Sequence, residues 1–431
     1  MTSEVRALPG EAYVWVFLPA ETAPVVAGRI YRGKDGRINF HYGRSYLARG
    51  NAIALYLPEL PLRAGAIAPD SPDMLMPGCI RDASPDAWGR RVLIARKLGS
   101  HAAHAGSELD ELTYLLESGS NRIGALDFQE SASHYAPRLH ASATLDELLA
   151  AAESIERGVP LTEELAQALQ HGTSLGGARP KALLTDATHQ YIAKFSASSD
   201  VGNVVKAEYV AMRMAAHAGL TVAPVRLERA LGKDVLLIER FDRHRVAGGW
   251  ARRAMVSALT ILELDEMQAR YASYETLAGI IRHRFTAPKA TLRELFGRLA
   301  FNILCGNTDD HARNHAAFWD GAQLSLTPAY DICPQLRVGG EASQAMRIQG
   351  ADRRSQLATA IAAASAFLLE SREAVAIVNA QMEAIGRAWE SVCTEAGLTG
   401  LERAGLAGRQ FFNPYAFYDA PAELAAPPML S

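Results

Sequence analysis

Two carboxylates and an amide set the first question. In the segment GNTDDHARNH, Asp309 and Asn314 are separated by four residues, and Asp331 follows in LTPAYDICP. Transfer of a phosphoryl group asks for these group types: one carboxylate to orient an attacking hydroxyl and accept its proton, then an amide and a second carboxylate to hold magnesium against the phosphates of ATP. Taken alone, the spacing also fits a capped helix start with a solvated amide. His311 and His315 lie four apart, as in the HExxH motif of zinc peptidases. Ala312 stands where that motif needs its general base, so the hydrolase reading ranks last.

A second pair lies upstream. In NVVKAEYVAMRMAAHAGL, the positions Val204, Glu208, Ala211 and Ala215 share one helix face, so Glu208 interrupts an apolar stripe. A carboxylate there needs a cation, and Lys194, set between Ala193 and Phe195 in a strand, is the nearest preceding candidate. A strand lysine, a helix glutamate, then Asp-x4-Asn and a further Asp follow the chain order of protein kinases. Thr308 replaces the arginine that normally precedes the catalytic aspartate, and no Phe-Gly follows Asp331. The loop TSLGGARPK, Thr173 to Lys181, lacks the Walker pattern and precedes a strand, but Gly176 and Gly177 are expected to leave backbone N–H groups open to phosphate. ERFDR, ending a strand, would sit where a kinase chain crosses between its lobes. A carbonyl at Glu239 and an amide at Phe241 would there read adenine, with Asp242 on the ribose; the plain alternative is an exposed strand end.

The elements that must carry these groups read as follows. YVWVFL, INFHY and AIALYL suggest a small antiparallel sheet, with Lys34-Asp35-Gly36 as a turn. SPDAWGRRVLIARKLG and ELDELTYLLESGS read as helices, RIGALDF as a closing strand, and 130–143 as a linker. Helical patterns at Asp146 to Arg157 and Thr162 to His171 precede a hairpin, KALLT and QYIAKFS, then the Glu208 helix and the strands VAPVRL and VLLIERF. From about Ala254 the chain reads as mostly helical, with Thr291 and Glu294 as a capping box and a loosely docked tail after Phe411.

Composition excludes several classes. With 431 residues, 49% of them apolar, the chain suits two or three globular domains rather than disorder. Its charge of −3 carries no global attraction to DNA or anionic lipid. Cys79, Cys305, Cys333 and Cys393 form no CxxC pair, which predicts free thiols in a reducing compartment. Neither a signal-peptide pattern nor a stretch of roughly 18 apolar residues is present, so a cytoplasmic location is expected.

With these residues in view, the chain resembles the HipA family of bacterial toxin kinases. RIGALDF, SLGGARPKALL, YIAKF, the Glu208 helix, LIERFDR, GNTDDHARNH and LTPAYDI carry the resemblance in order and at similar spacing. It implies an α+β fold, with a bilobal protein-kinase-like core, an N-terminal β-rich subdomain and a mostly helical C-terminal lobe. The expected divisions are 1–135, 136–245 and 246–431. It further implies an ATP- and Mg2+-dependent Ser/Thr protein kinase, with Asp309 as catalytic base and Asn314 and Asp331 as magnesium ligands. Nucleotide contacts are implied for Ser174, Gly176, Gly177, Ala178, Arg179, Lys181, Lys194, Glu208, Glu239, Arg240, Phe241, Asp242, His311 and Tyr330. Ser174 matches the family's autophosphorylation position, where phosphate would pull the loop from the nucleotide. The implied partners are a protein substrate such as an aminoacyl-tRNA synthetase and a HipB-like antitoxin through which DNA is reached indirectly; no membrane contact is expected. The alternative is a kinase-like binding module or corepressor. Departures fall at Asp310, an added carboxylate, and at Arg179-Pro180, where Pro180 stiffens the loop.

Overall fold

The computed structural model describes residues 9–99, 106–138, 143–159, 177–337 and 339–430, and the expected helix at Thr162 to His171 lies outside them. Near the amino terminus, β1 (Glu11–Val16), β2 (Val25–Arg32), β3 (Ile38–Tyr42), β4 (Ala66–Ile67) and β5 (Leu126–Gln129) form an antiparallel sheet in the order β4-β3-β2-β1-β5. The turn at Gly36, with φ +84°, joins β2 to β3 as its residues predict. AIALYL forms no strand. Its Leu55 N–H donates to the Tyr42 hydroxyl at 2.9 Å and Ile53 N–H to the Tyr46 hydroxyl at 3.3 Å, so side chains replace the ladder. The strand is VVAGRIYR instead, where Gly28 and Arg29 break the apolar alternation that marks a strand in sequence.

A second antiparallel sheet carries Lys181 and Lys194. Strands β6 (Lys181–Thr185), β7 (Gln190–Phe195), β8 (Val225–Ala230) and β9 (Lys233–Glu239) run in the order β6-β7-β9-β8. Period-two alternation divides their side chains between two cores. Ala193, Phe195, Val235 and Leu237 bury against Trp88 and Val92 of the helix Ala87–Leu98 and Leu148 and Leu149 of the helix Leu145–Glu156. Leu236 and Ile238 face the helix Val204–His217, whose Asn203 side chain caps it by accepting from Lys206 N–H. That helix is braced from the other side by the 25-residue helix Ser371–Glu395: Tyr209 hydroxyl donates to Glu395 at 2.6 Å, and Lys206 Nζ to the Gly397 carbonyl at 2.8 Å.

The region after Ala254 is less uniformly helical than its sequence suggests. A hairpin, β10 (Arg243–Val246) and β11 (Gly249–Arg252), precedes it, and β12 (Ala254–Ser257), β13 (Ala316–Trp319) and β14 (Leu324–Leu326) form a third sheet. The helix containing Thr291 starts earlier, at Pro288, so Thr291 is no cap. Glu294 instead accepts from Thr221 N–H at 3.1 Å and from Arg298 at 2.9 Å. The tail is docked rather than loose, with Phe411, Phe412 and Tyr415 buried. All four cysteines are buried free thiols. Among the described residues no helix is long and apolar enough to cross a membrane.

Candidate active site

Lys194 sits at the centre. Because Ala193 and Phe195 enter one core, Lys194 emerges on the opposite face of β7, toward the Glu208 helix. Its Nζ donates to Glu208 Oε1 at 2.6 Å and also meets Asp331 Oδ1. The Lys194 and Glu208 side chains are 9% and 3% exposed, whereas Asp331 is 39% exposed, so one carboxylate is locked inside and the other faces the cleft. Burial alone would push the Lys194 ammonium down, but Asp331 and Glu208 outweigh it and hold the pKa above the usual lysine value. Glu208 is raised by its burial, which the pull of Lys194 only partly offsets. Lys181 lies directly across the ladder from Lys194. Burial, followed by the like charge of Lys194, pushes its pKa down to about 8.

The second wall of the cleft is built from the end of the helix Pro288–Cys305. That helix stops at Gly306, in the left-handed region at φ +73°, where a Cβ would lie 2.8 Å from the Gln410 carbonyl. The chain then exposes Asp309 and buries Asp310. Partial loss of water around Asp309, with Asp331 and Asp310 adding to it, holds its carboxyl above the usual aspartate range against the pull of His311. Asn314 Nδ2 donates to the Asp309 carbonyl at 3.2 Å, leaving Oδ1 as its acceptor group. Asp331 is brought alongside because Ala329 exchanges backbone hydrogen bonds with Thr221 at 2.8 Å and Ala223 at 2.9 Å, just before β8. At φ +59°, Asp331 itself adopts a conformation that aspartate tolerates better than most residues. Asp310, by contrast, is no part of the cleft: its carboxylate meets the Tyr274 hydroxyl and lies 3.0 Å from His315 Nε2 inside the core. This also removes His315 from any zinc pair with His311.

Other expected positions divide. Ser174 and Gly176 lie outside the described residues. Gly177 N–H, expected to be open, donates to Asp86 Oδ2 at 2.7 Å. Ala178 is exposed. Arg179 points to Asp200, with N–O distances of 2.6 and 2.7 Å, which ties the loop to the turn after β7. Asp242 cannot serve a ribose. Both its oxygens are taken by Arg240 at 2.9 and 2.8 Å, one also by Arg243 and by Gly124 N–H, each at 2.8 Å, and it is buried. Arg240 is likewise buried, donating to the Asn121 and Arg122 carbonyls and so fastening the end of β9 to the first sheet. Phe241 is half-buried and packs on Phe318 and Tyr330, with ring centroids 5.9 and 5.7 Å apart. His311 is half-buried beside Asp309, and the Tyr330 hydroxyl donates to the Arg313 carbonyl at 2.7 Å.

Three positions that shape the candidate site escape sequence reasoning. Glu239 N–H donates to the Pro224 carbonyl at 2.9 Å, but the reciprocal bond of an antiparallel pair is impossible because Pro224 has no N–H. The Glu239 carbonyl is thereby left without its ladder donor at the sheet end, and none of the described residues hydrogen-bonds Phe241 N–H. Pro224 was visible in VAPVRL, but its cross-strand neighbour was not. Asp86 and Arg313 also enter the site, and they are 227 positions apart in the chain.

Comparison with known proteins shows the family and the fold. Residues 21–129 match the HipA N-terminal domain and residues 173–389 the HipA-like C-terminal domain. The chain belongs to the HipA family. A Sinorhizobium fredii protein named "Putative kinase Y4mE" is 26% identical over 71% of this chain and 74% of its own length. A "Serine/threonine-protein kinase toxin HipA" of Shewanella oneidensis is 26% identical over 29% of this chain and 33% of its own. In three dimensions the chain is similar to one in the Shewanella oneidensis MR-1 complex of HipA, HipB and operator DNA. The TM-score is 0.66, at 18% identity, covering 91% of this chain and 94% of that one. The fold is therefore that of HipA.

Because Glu208 is buried and Lys194 is its only ion-pair partner among the described residues, removing Lys194 leaves the Glu208 charge uncompensated. Lys194→Met is expected to lower the unfolding free energy by about 3 kcal/mol, and adding Glu208→Gln to recover part of it. Urea denaturation of the double-mutant cycle measures this; strictly additive losses would contradict the coupling.

Proposed function

We propose that this chain is an ATP- and magnesium-dependent serine/threonine protein kinase, the toxin of a HipA and HipB type toxin–antitoxin pair. The observation that carries this reading is Lys194 held between buried Glu208 and cleft-facing Asp331. Glu208 fixes the ammonium so that its remaining proton reaches the phosphates of ATP, and Lys181 adds a second cation beside it. The open Glu239 carbonyl and Phe241 N–H receive the adenine edge, and the apolar Phe241 ring lies beside it. Asp309 accepts the proton of the attacking hydroxyl; its raised pKa suits a base that must take up a proton in the transition state.

Asn314 and Asp331 would hold the magnesium. Asn314 offers Oδ1, since Nδ2 is committed, and Asp331 offers Oδ2, since Oδ1 meets Lys194. Two protein oxygens suit an ion that keeps water and phosphate oxygens as its other ligands. When bound, it offsets the charge on the phosphate oxygens. The reading extends to a component of translation as substrate, such as an aminoacyl-tRNA synthetase, to control by phosphorylation of Ser174, and to a HipB-like antitoxin as partner. Membership of the HipA family supports these extensions.

The test is transfer from γ-labelled ATP in cell lysate, with the unphosphorylated protein supplied with magnesium. Label on a discrete lysate protein is expected, and Asp309→Asn is expected to reduce it by about 100-fold or more while ATP still binds. No transfer by the unsubstituted protein would contradict the kinase reading.

Lys181 adds a pH signature. Its folded-state pKa of about 8 is below that of an unfolded lysine, so the folded state binds fewer protons and stability rises with pH from about 8 upward. Phosphates favour the charged form, so ATP binding takes up a proton and affinity falls as pH rises through about 8. Calorimetric titration between pH 7 and about 9 should show this decline, and Lys181→Met should flatten it.

A further inference from the structure

The helix Ala87–Leu98 begins with an aspartate that does not cap it. Asp86 occupies the N-cap position, yet its carboxylate makes no hydrogen bond to that helix. Both oxygens are directed elsewhere: Oδ2 accepts from Gly177 N–H at 2.7 Å, and Oδ1 from Arg313 at 2.9 Å. Beside it, Trp88 N–H donates to the Gly177 carbonyl at 3.2 Å, and Trp88 Nε1 to the Lys181 carbonyl at 3.0 Å. Trp88 is fully buried, and Arg90 locks the same helix start to the first half of the chain through Glu111, at 2.5 and 2.7 Å. Gly177 is held at φ +98°, where a Cβ would run into the Lys181 ammonium. The other end of the grip is equally fixed, because the Arg313 guanidinium also meets Glu266, and the Arg313 carbonyl accepts from Tyr330, the neighbour of Asp331.

We propose that Asp86 is a positioning residue, lent by the N-terminal HipA domain, that ties the Gly177 stem of the phosphate loop to the Asp309–Asn314 segment and thereby sets nucleotide affinity. The inference rests on the kinase reading above. Gly177 is itself no phosphate donor in this arrangement; its N–H is the handle by which the loop is held. A carboxylate serves because it can accept from a backbone N–H and a guanidinium at once, and both are charge-assisted bonds. The N-terminal domain is thus a working part of the cleft rather than an appended module.

The experiment uses the full-length protein and three readouts: hydrogen exchange over residues 177–181 without nucleotide, ATP dissociation constant, and kcat at saturating ATP. Asp86→Ala is expected to speed exchange at Gly177 and weaken ATP binding about tenfold, with kcat changed far less. Asp86→Asn, nearly isosteric and able to fold if the alanine variant does not, keeps an acceptor for Gly177 but turns an amide NH2 toward Arg313, which removes both the charge and the hydrogen bond there. It should preserve most of the exchange protection and give an intermediate affinity. A merely structural role would lower melting temperature without a selective change at Gly177. Unchanged Gly177 exchange, or unchanged ATP affinity in a folded Asp86→Ala protein, overturns the inference alone. Failure of the unsubstituted protein to bind ATP overturns the kinase reading and this inference with it.

Discussion

An ammonium group inside a protein needs its charge answered, and Lys194 is answered twice. Glu208 meets it from a helix 14 positions later, and Asp331 from a segment 137 positions later. Desolvating these three charges is costly, so the arrangement persists only where the surrounding packing over-determines it. That packing explains much of the architecture. The β7 alternation presents Lys194 to one face, the Glu208 helix is clamped between β8–β9 and the helix Ser371–Glu395, and Ala329 pairs beside β8 to deliver Asp331. The helix carrying Glu208 is pinned at Tyr209 and Lys206 to the far end of the chain, so it has little freedom to swing away from Lys194.

The cleft has two further walls, and both involve the first third of the molecule. Arg240, Asp242 and Arg243 form a buried charged knot that grips residues 121–124, fastening the strand end where adenine would lie. Asp86 and Trp88 grip the other edge, at Gly177 and Lys181. The sheet β6-β7-β9-β8 is therefore held at both edges of the candidate site by the N-terminal domain. Its inner core, built on Trp88, continues that attachment into the hydrophobic packing.

Much of this was legible in sequence where signals are local. The hairpin β6–β7, the Asn203 cap, the Glu208 interruption and the Asp309–Asn314 loop all follow from spacing and residue type within one element. Errors arose where a distant partner decides. AIALYL looks like a strand until Tyr42 and Tyr46 take its N–H groups, and Asp242 looks like a ligand-binding carboxylate until Arg240 and Arg243 enclose it. Asp310 reads as a second cleft carboxylate beside Asp309, but Tyr274 draws it into the core. Asp86 stands at the start of the helix read from SPDAWGRRVLIARKLG, and nothing near it in sequence reveals Gly177 or Arg313.

The most direct test of the account is a structure of the protein with magnesium and a non-hydrolysable ATP analogue. The account predicts the phosphates against Lys194 and Lys181, the Lys194–Glu208 contact retained, the adenine edge on the Glu239 carbonyl and Phe241 N–H, and the metal on Asn314 and Asp331. Nucleotide bound elsewhere, or bound with Lys194 still engaged by Asp331 and no phosphate contact, would contradict it.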